Sequence, residues 1–247
     1  MASRAERSRS FGAIAGDYDR LRPGPPDDAV DWLLPSRCEV AVDLAAGTGL
    51  LSRALARRVP EVIAVEPDER MAAVLRARSP GVRVLRGTGE SIPLDDAQAD
   101  GVFVSSAWHW FDPERAVPEI ARVLRDGGRL GVLWTTRDRE VPWVRSLDLR
   151  RDSPGPGRVR HREIILPDTG LFGPAVTASF RFTRPMTIEG IVDMLATYSG
   201  VITAEPGERA AALAYARDRL EQQFPRAGEI DVPMRAWCWR ADRVNRA

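Results

Sequence analysis

The stretch from Glu39 to Arg58 constrains this chain more than any other. Glu39-Val-Ala-Val-Asp-Leu44 reads as a buried strand, Ala45-Ala-Gly-Thr-Gly49 as a tight turn, and Leu50 to Arg58 carries apolar residues at helical spacing. Strand, short turn and helix in that order open a βαβ unit, which demands a parallel sheet covered by helices. The alternation continues. Val62 to Val65, Val82 to Leu85, Gly101 to Val104 and Arg129 to Trp134 read as further strands. Helices are predicted from Pro67 to Arg78, with Met71, Val74 and Leu75 facing inward, and from Pro113 to Leu124, the latter ended by a turn at Asp126-Gly-Gly128. Past Trp134 the pattern lapses, and Asp152-Ser-Pro-Gly-Pro-Gly157 can be neither helix nor strand interior. It returns with a strand from Val176 to Arg184, Thr187 as N-cap for a helix to Thr197, a helix from Pro206 to Gln223 and a strand from Ile230 to Trp239. No internal repeat interrupts this doubly wound α/β layout.

Composition narrows the functional classes. With 247 residues and 44% hydrophobic content the chain can bury an ample core. Its 36 basic side chains nearly cancel 35 acidic ones, leaving a formal charge of +1 and no excess for a polyanion, so nucleic acid is not expected as a partner. Every basic residue is Arg, which removes lysine chemistry. Cys38 and Cys238 are too far apart in sequence for a metal or redox motif and suit a reducing compartment. The longest apolar stretch, Ala210 to Ala216, falls far short of the roughly 20 residues of a membrane span. The opening MASRAERSRS lacks the apolar core of a secretory signal and reads as an arm. A cytoplasmic protein is expected, with no membrane partner; nothing in the sequence fixes its oligomeric state.

The chemistry gathers around the first strand. Asp43 near its end and Gly47-Thr-Gly49 after it bring a carboxylate and backbone N–H groups to the carboxyl edge of the sheet, where ligands of such folds bind. A dinucleotide would place its pyrophosphate on the following helix N-terminus, and Asp43 would repel it. A ligand with an ammonium group would instead be favoured there. Glu66 ends the second strand, where a carboxylate can accept hydrogen bonds from both hydroxyls of a ribose. The ligand this suggests has a ribose at one end and a cation at the other.

Val42-Asp-Leu-Ala-Ala-Gly-Thr-Gly49 resembles the first motif of class I S-adenosylmethionine-dependent methyltransferases. Other matches follow in order: Glu66-Pro67 with Met71, Gly87-Thr-Gly-Glu-Ser-Ile-Pro93, Ala99 to Val104, Ala107-Trp-His-Trp-Phe-Asp112, Glu119 to Trp134, and upstream Tyr18-Asp-Arg-Leu-Arg-Pro23. The set is similar to the subgroup containing trans-aconitate methyltransferase and small-molecule tailoring enzymes, and covers residues 11 to about 136 well. One departure is Ala45, where many members carry glycine. The resemblance implies a doubly wound, mostly parallel Rossmann-like seven-stranded sheet with an N-terminal lid and an inserted cap. It implies S-adenosylmethionine as cofactor. Asp43, Gly47 and Gly49 would surround its methionine part, Glu66 its ribose, Met71 its adenine, and Thr88, Gly89 and Glu90 the adenine edge; Ser105 joins the set, and Tyr18 closes over it. In this division residues 1–36 form the arm and lid, 37–136 the cofactor core, 137–175 the cap and 176–247 the part completing sheet and pocket.

His109 lies just beyond the fourth strand between Trp108 and Trp110, beside the transferring methyl in the family's geometry. An imidazole there can take a proton from a substrate hydroxyl or amine, while the two tryptophans would wall the substrate. An alternative makes the whole Trp-His-Trp-Phe run a wall. His161 reads as solvated. Asp95, Asp96, Asp100 and Asp112 lack metal-ligand spacing, so no metal is expected. Arg137, Arg139, Arg145, Arg150 and Arg151 lie in or near the cap and could pair with a carboxylate substrate or simply form a solvated face. The expected activity is methylation of oxygen or nitrogen on a small molecule. The rivals are a nicotinamide-dependent oxidoreductase and a non-catalytic S-adenosylmethionine-binding regulator.

Overall fold

The computed structural model describes residues 10–148 and 166–245. Arg150, Arg151, His161 and nearly all of the N-terminal arm lie outside the described residues. The chain begins with a 3-10 turn, Ser10–Ile14, followed by α1 (Ala15–Leu21) and α2 (Asp27–Leu33). Then come β1 (Val40–Leu44), α3 (Leu50–Ala56), β2 (Glu61–Val65), α4 (Glu69–Arg78), β3 (Arg83–Leu85) and β4 (Ala99–Ser105). A second 3-10 turn, Trp108–Trp110, precedes α5 (Pro113–Val123), β5 (Leu124–Arg137) and α6 (Pro142–Ser146). The remainder is β6 (Val176–Met186), α7 (Ile188–Ala196), α8 (Ser199–Ile202), α9 (Pro206–Gln223) and β7 (Ile230–Asp242).

The seven strands form one sheet in the order β3-β2-β1-β4-β5-β7-β6. The five from β3 to β5 pair in parallel, with Asp43 opposite Ala64 and Phe103, and Ser105 opposite Leu133. β7 alone runs the other way, antiparallel to both of its neighbours. Arg129 and Asp138 of the β5 segment meet Asp242 and Pro233 of the β7 segment, and Gly173 and Leu171 meet Asp242 and Val244, which are antiparallel registers. The expected mostly parallel, seven-stranded doubly wound sheet is therefore present. Its order reverses at β1 and β4, the crevice where such sheets bind ligands.

Alternation along the central strands explains why both faces are covered. Val42, Leu44, Ile63, Val65, Val102 and Val104 belong to one buried cluster, and Ala41, Val62, Ala64 and Phe103 to another. Strands buried on both faces are apolar at consecutive positions, and Asp43 stands out among them as a fully buried ionisable residue. Helix starts follow local chemistry: Asp68, Asp112 and Thr187 accept N–H bonds from Arg70, Glu114 and Gly190 as N-caps. Capping moves the start of α4 from the expected Pro67 to Glu69.

Asp126-Gly-Gly128 is not a free-standing turn after α5. The helix ends at Val123, and β5 begins at once. Gly127 takes φ 73°, and the β4–β5 register shifts between Ala99 and Gly101, so the glycines form an irregularity inside the strand. The described residues divide into two compact units: 10–23, 136–148 and 181–235 in one, 24–135, 166–180 and 236–245 in the other. The first has its own core, built from Leu21, Leu147, Met186, Ile191, Leu195, Leu220, Val232 and Met234 among others. No described helix is long and apolar enough to cross a membrane.

Candidate active site

The turn after β1 is held in a shape that few residues adopt. Ala45, Gly47 and Gly49 have φ of 56°, 59° and 86°. Gly49 is also the N-cap of α3, and a Cβ there would lie 2.8 Å from Leu75 Cγ, so both its conformation and its contact call for glycine. This geometry draws the start of α3 close to the end of β1. Ser52 of α3 donates to Asp43 Oδ2 at 2.6 Å, while Asp43 Oδ1 is buried and has no hydrogen-bond partner. Thr48 Oγ1 in the same turn is likewise buried and unpartnered. Burial pushes the Asp43 carboxyl up to about 7, against the opposing hydrogen bond from Ser52.

Glu66, 7% exposed, ties the first turn to the second. Its Oε2 accepts from Gly47 N–H at 2.7 Å and its Oε1 from Asp68 N–H at 2.9 Å. Burial raises its pKa, and the two backbone donors work against that rise. Each carboxylate oxygen keeps lone-pair capacity for a further donor. Met71, also buried, brings its Cε within 3.4 Å of where a Gly47 Cβ would stand, so the thioether packs against the turn.

The Gly87-to-Pro93 loop is pinned from several sides. Gly89 is buried so close to Phe111 that a Cβ would come within 2.9 Å of its ring. Glu90 does not project freely: its Oε1 accepts from Asp112 N–H at 2.9 Å and secures the entrance to α5. Thr88 is exposed and forms a bridge with Ser91. Glu119 accepts from Ile92 N–H at 2.8 Å, and Arg122 donates to the carbonyls of Ile92 and Leu94 while pairing with Glu119 and Asp96. Sequence patterning missed this strap, because an arginine on a helix surface carries no local signal of the loop it holds.

At the end of β4, Ser105 is half-buried and Ser106 adopts φ 55°, its N–H donating to Leu133 O. That bend launches the 3-10 turn. Trp108 is buried against Phe111, ring centroids 5.8 Å apart, and belongs to the core. His109 and Trp110 are half-buried, with centroids 4.3 Å apart. The structure thus gives Trp108 a packing place and leaves Trp110 and His109 nearer the surface. Thr135 Oγ1, near the end of β5, is another buried unpartnered hydroxyl that sequence reading did not single out.

Other candidates are engaged elsewhere. Asp100 accepts from the N–H groups of Glu39 and Val40 and pairs with Arg125, and Asp112 caps α5. Among the described residues no group of side chains is arranged to hold a metal ion. Cys38 and Cys238 are free thiols, both pushed up to about 12 by burial. In the other unit Arg139 pairs with Asp148, Arg145 donates to Arg139 O, and Tyr18 meets Phe11 edge-on at 5.7 Å.

The sheet with its reversal at β1 and β4, the left-handed glycine turn and the acids closing β1 and β2 define a class I, Rossmann-like methyltransferase fold. Comparison with known proteins makes the class specific. Residues 42–132 match the family model described as a methyltransferase domain. An uncharacterized methyltransferase of Mycobacterium tuberculosis is 44% identical over 97% of this chain and 98% of its own length. The malonyl-[acyl-carrier protein] O-methyltransferase of Methylococcus capsulatus is 34% identical over 49% of this chain and 48% of its own length. A solved structure from Anaeromyxobacter dehalogenans, assigned to the type II methyltransferases, superposes with a TM-score of 0.66 at 25% identity, covering 91% of this chain and 97% of that one.

The chain belongs to the S-adenosylmethionine-dependent methyltransferases and is a methyltransferase enzyme. The nicotinamide-dependent alternative is not favoured. The residues present fit the cofactor: the unpartnered oxygen of Asp43 and the unpartnered hydroxyl of Thr48 lie at a left-handed turn and can each take a hydrogen bond from a ligand.

Proposed function

We propose that the enzyme methylates an oxygen or nitrogen of a small molecule, with Asp43, Gly47, Gly49, Glu66 and Met71 holding S-adenosylmethionine. The observation that carries this reading is the buried, unpartnered Asp43 Oδ1 beside the left-handed turn. A buried carboxylate oxygen without a donor is costly unless a ligand supplies one, and an ammonium group does so with charge. Glu66 would accept from the ribose hydroxyls with the lone pairs its backbone donors leave open. Met71 would pack on the adenine, bordered by Thr88, Gly89 and Glu90, with Ser105 at the end of β4.

S-adenosylmethionine when bound supplies an electrophilic methyl on sulfur and leaves as a neutral thioether. The chain's own residues contribute alignment, exclusion of water and proton removal. His109 takes the proton of the acceptor hydroxyl or amine, and Trp110 shapes the wall beside it, backed by Trp108 from the core. The Methylococcus capsulatus relative, an O-methyltransferase by name, supports oxygen as an accepting atom.

Calorimetry with S-adenosylhomocysteine and NAD tests the cofactor reading: the first is expected to bind and the second not, and the reverse would overturn it. Turnover on a panel of acceptors then separates an enzyme from a binding-only regulator. His109→Ala should lower turnover roughly a hundredfold or more and remove a rise in rate through neutral pH. Near-normal turnover in that variant would remove the base and leave the wall reading.

A further inference from the structure

Thr135, near the carboxyl end of β5, carries a buried hydroxyl that none of the assignments above uses. The residue is 8% exposed, and its Oγ1 has no hydrogen-bond partner. Strand alternation fixes the face on which it stands. Ala41, Phe103 and Leu133 belong to one buried cluster, and Val42, Val102, Val104, Val132 and Trp134 to the other. Asp43, Ser105 and Thr135 each lie two residues beyond a member of the first set. They therefore share one face toward the carboxyl ends of three neighbouring strands, all in the unit that includes residues 24–135.

Register turns the three into a staircase. Asp43 lies opposite Phe103, while Ser105, two residues on, lies opposite Leu133, and Thr135 is two residues further again. At about 3.3 Å per residue and about 4.8 Å between strands, each step spans about 8 Å. The strand neighbours explain why the hydroxyl is idle. β4 ends at Ser105 and turns away at Ser106, whose N–H donates to Leu133 O, so no β4 residue stands opposite Thr135. On the other side Asp138 N–H donates to Pro233 O and Arg243 N–H to Gly128 O, one antiparallel register that sets Ala236 against Thr135. Neither Leu133 nor Ala236 has a polar side-chain atom to offer.

The next step rests on the cofactor reading above, in which Asp43 takes the ammonium group and Glu66 the ribose. A cofactor so held runs from β1 toward β2 and leaves the β4 and β5 side of the crevice to the methyl acceptor. We propose that Thr135 is a specificity-determining residue, its hydroxyl binding an uncharged oxygen of that acceptor: an alcohol, carbonyl or amide. A threonine hydroxyl both donates and accepts, and it changes direction by one rotation between staggered positions. Apolar neighbours suit a neutral group, which loses less on leaving water than an ion does.

The first test needs no ligand. Thr135→Val keeps the shape and removes a buried hydroxyl that costs the free protein stability, so its thermal midpoint should be kept or raised. A midpoint lowered by several degrees would reveal an internal partner and overturn the assignment. The second test measures access. Thr135→Cys, saturated with S-adenosylhomocysteine, is treated with iodoacetamide, itself a small neutral amide. The new thiol should react about tenfold or more faster than Cys38 and Cys238, whose thiols burial pushes up to about 12. Reaction no faster than at the two native thiols would put position 135 in the core and overturn the proposal.

Turnover supplies the specificity readout. On acceptors that carry an alcohol, carbonyl or amide oxygen besides the methylated atom, Thr135→Val should raise KM about tenfold, the worth of one buried hydrogen bond. Both kcat and S-adenosylhomocysteine affinity should be kept, and Thr135→Ser should restore KM. On matched acceptors lacking that oxygen, parent and valine variant should be alike. Equal KM in parent and valine variant on every acceptor turned over would sink the assignment. Failure of S-adenosylhomocysteine to bind, with the thiol of Thr135→Cys still reactive, would count against the cofactor reading alone.

Discussion

In one unit of the chain burial confines two carboxylates, Asp43 and Glu66, whose partners are a serine hydroxyl and two backbone N–H groups. In the other it confines two guanidiniums, Arg22 and Arg137, gathered on tyrosine rings with a single distant acid. The two regions carry opposite charge, and neither is neutralised from within. The difference lies in how each is built. The acidic region uses backbone donors on tight turns, so removing a side chain disturbs the turns themselves. The basic region uses side chains stacked on side chains, so its members can be exchanged with less damage to the fold.

The largest effect that sharpens this contrast is expected at Glu66. Glu66→Ala removes two hydrogen bonds to a charged acceptor, each worth roughly 1.5 to 3 kcal/mol, and leaves the Gly47 and Asp68 N–H groups to find new partners. It should weaken S-adenosylhomocysteine binding about tenfold to a hundredfold and also lower the thermal midpoint of the free protein. Asp43→Asn should behave differently. A carboxylate buried with an unpartnered oxygen strains the free protein, so the asparagine variant should lose cofactor affinity by a similar factor with its thermal midpoint kept or raised. If Asp43→Asn also unfolds at markedly lower temperature, Asp43 is a structural anchor and the contrast with Glu66 disappears.

The pH dependence follows from the same burial. The folded Asp43 carboxyl, raised to about 7 from 3.8, binds its proton more tightly than the unfolded chain does. The free protein should therefore lose stability as pH rises from about 4 to about 7, with the change complete above that window. Glu66, shifted in the same direction by burial, adds to the slope. An ammonium ligand prefers the ionised carboxylate, so S-adenosylhomocysteine affinity should climb as pH approaches 7 and then level. The climb should flatten in Asp43→Asn; an affinity in the parent chain that is constant between pH 5 and 8 would contradict a direct charge contact.

The acidic region was legible in the sequence because its parts lie in consecutive elements. Asp43 near the end of one strand, glycines after it and Glu66 closing the next strand are a local pattern that topology alone brings together. Trp108 shows where such reading stops: an aromatic next to His109 looks like pocket wall, but whether it faces a ligand or the core depends on the bend at Ser106, a left-handed serine no propensity would foretell. Glu90 has a structural task that the sequence does not signal: its carboxylate holds the N–H of Asp112. The basic cluster was legible only in Arg137, which the sequence offers among the arginines able to pair with a carboxylate, and not in Arg22 or Tyr198. Arg22, Arg137 and Tyr198 come from three distant stretches of chain, and nothing in the sequence brings them together among 36 arginines. Arg139 and Arg145, grouped with Arg137 by position, are occupied by Asp148 and a backbone carbonyl.

The smallest expected effect concerns Ala45, where the chain departs from the glycine that many methyltransferases carry. Its φ of 56° places it in the left-handed region, which costs an ordinary L-residue roughly 1 to 2 kcal/mol. Glycine would relieve that cost but give back about 0.4 to 1 kcal/mol through the greater freedom of the unfolded chain. Ala45→Gly should therefore leave stability unchanged or raise it by up to about 1.6 kcal/mol, a few degrees in the thermal midpoint of a chain this size. At an ordinary helical or strand position the same substitution lowers stability by roughly 0.5 to 1 kcal/mol, so the sign of the shift reports the backbone conformation directly. A loss of that size would mean that the turn after β1 does not hold Ala45 left-handed. The approach of α3 to Asp43, on which the acidic region's geometry rests, would then need a different origin.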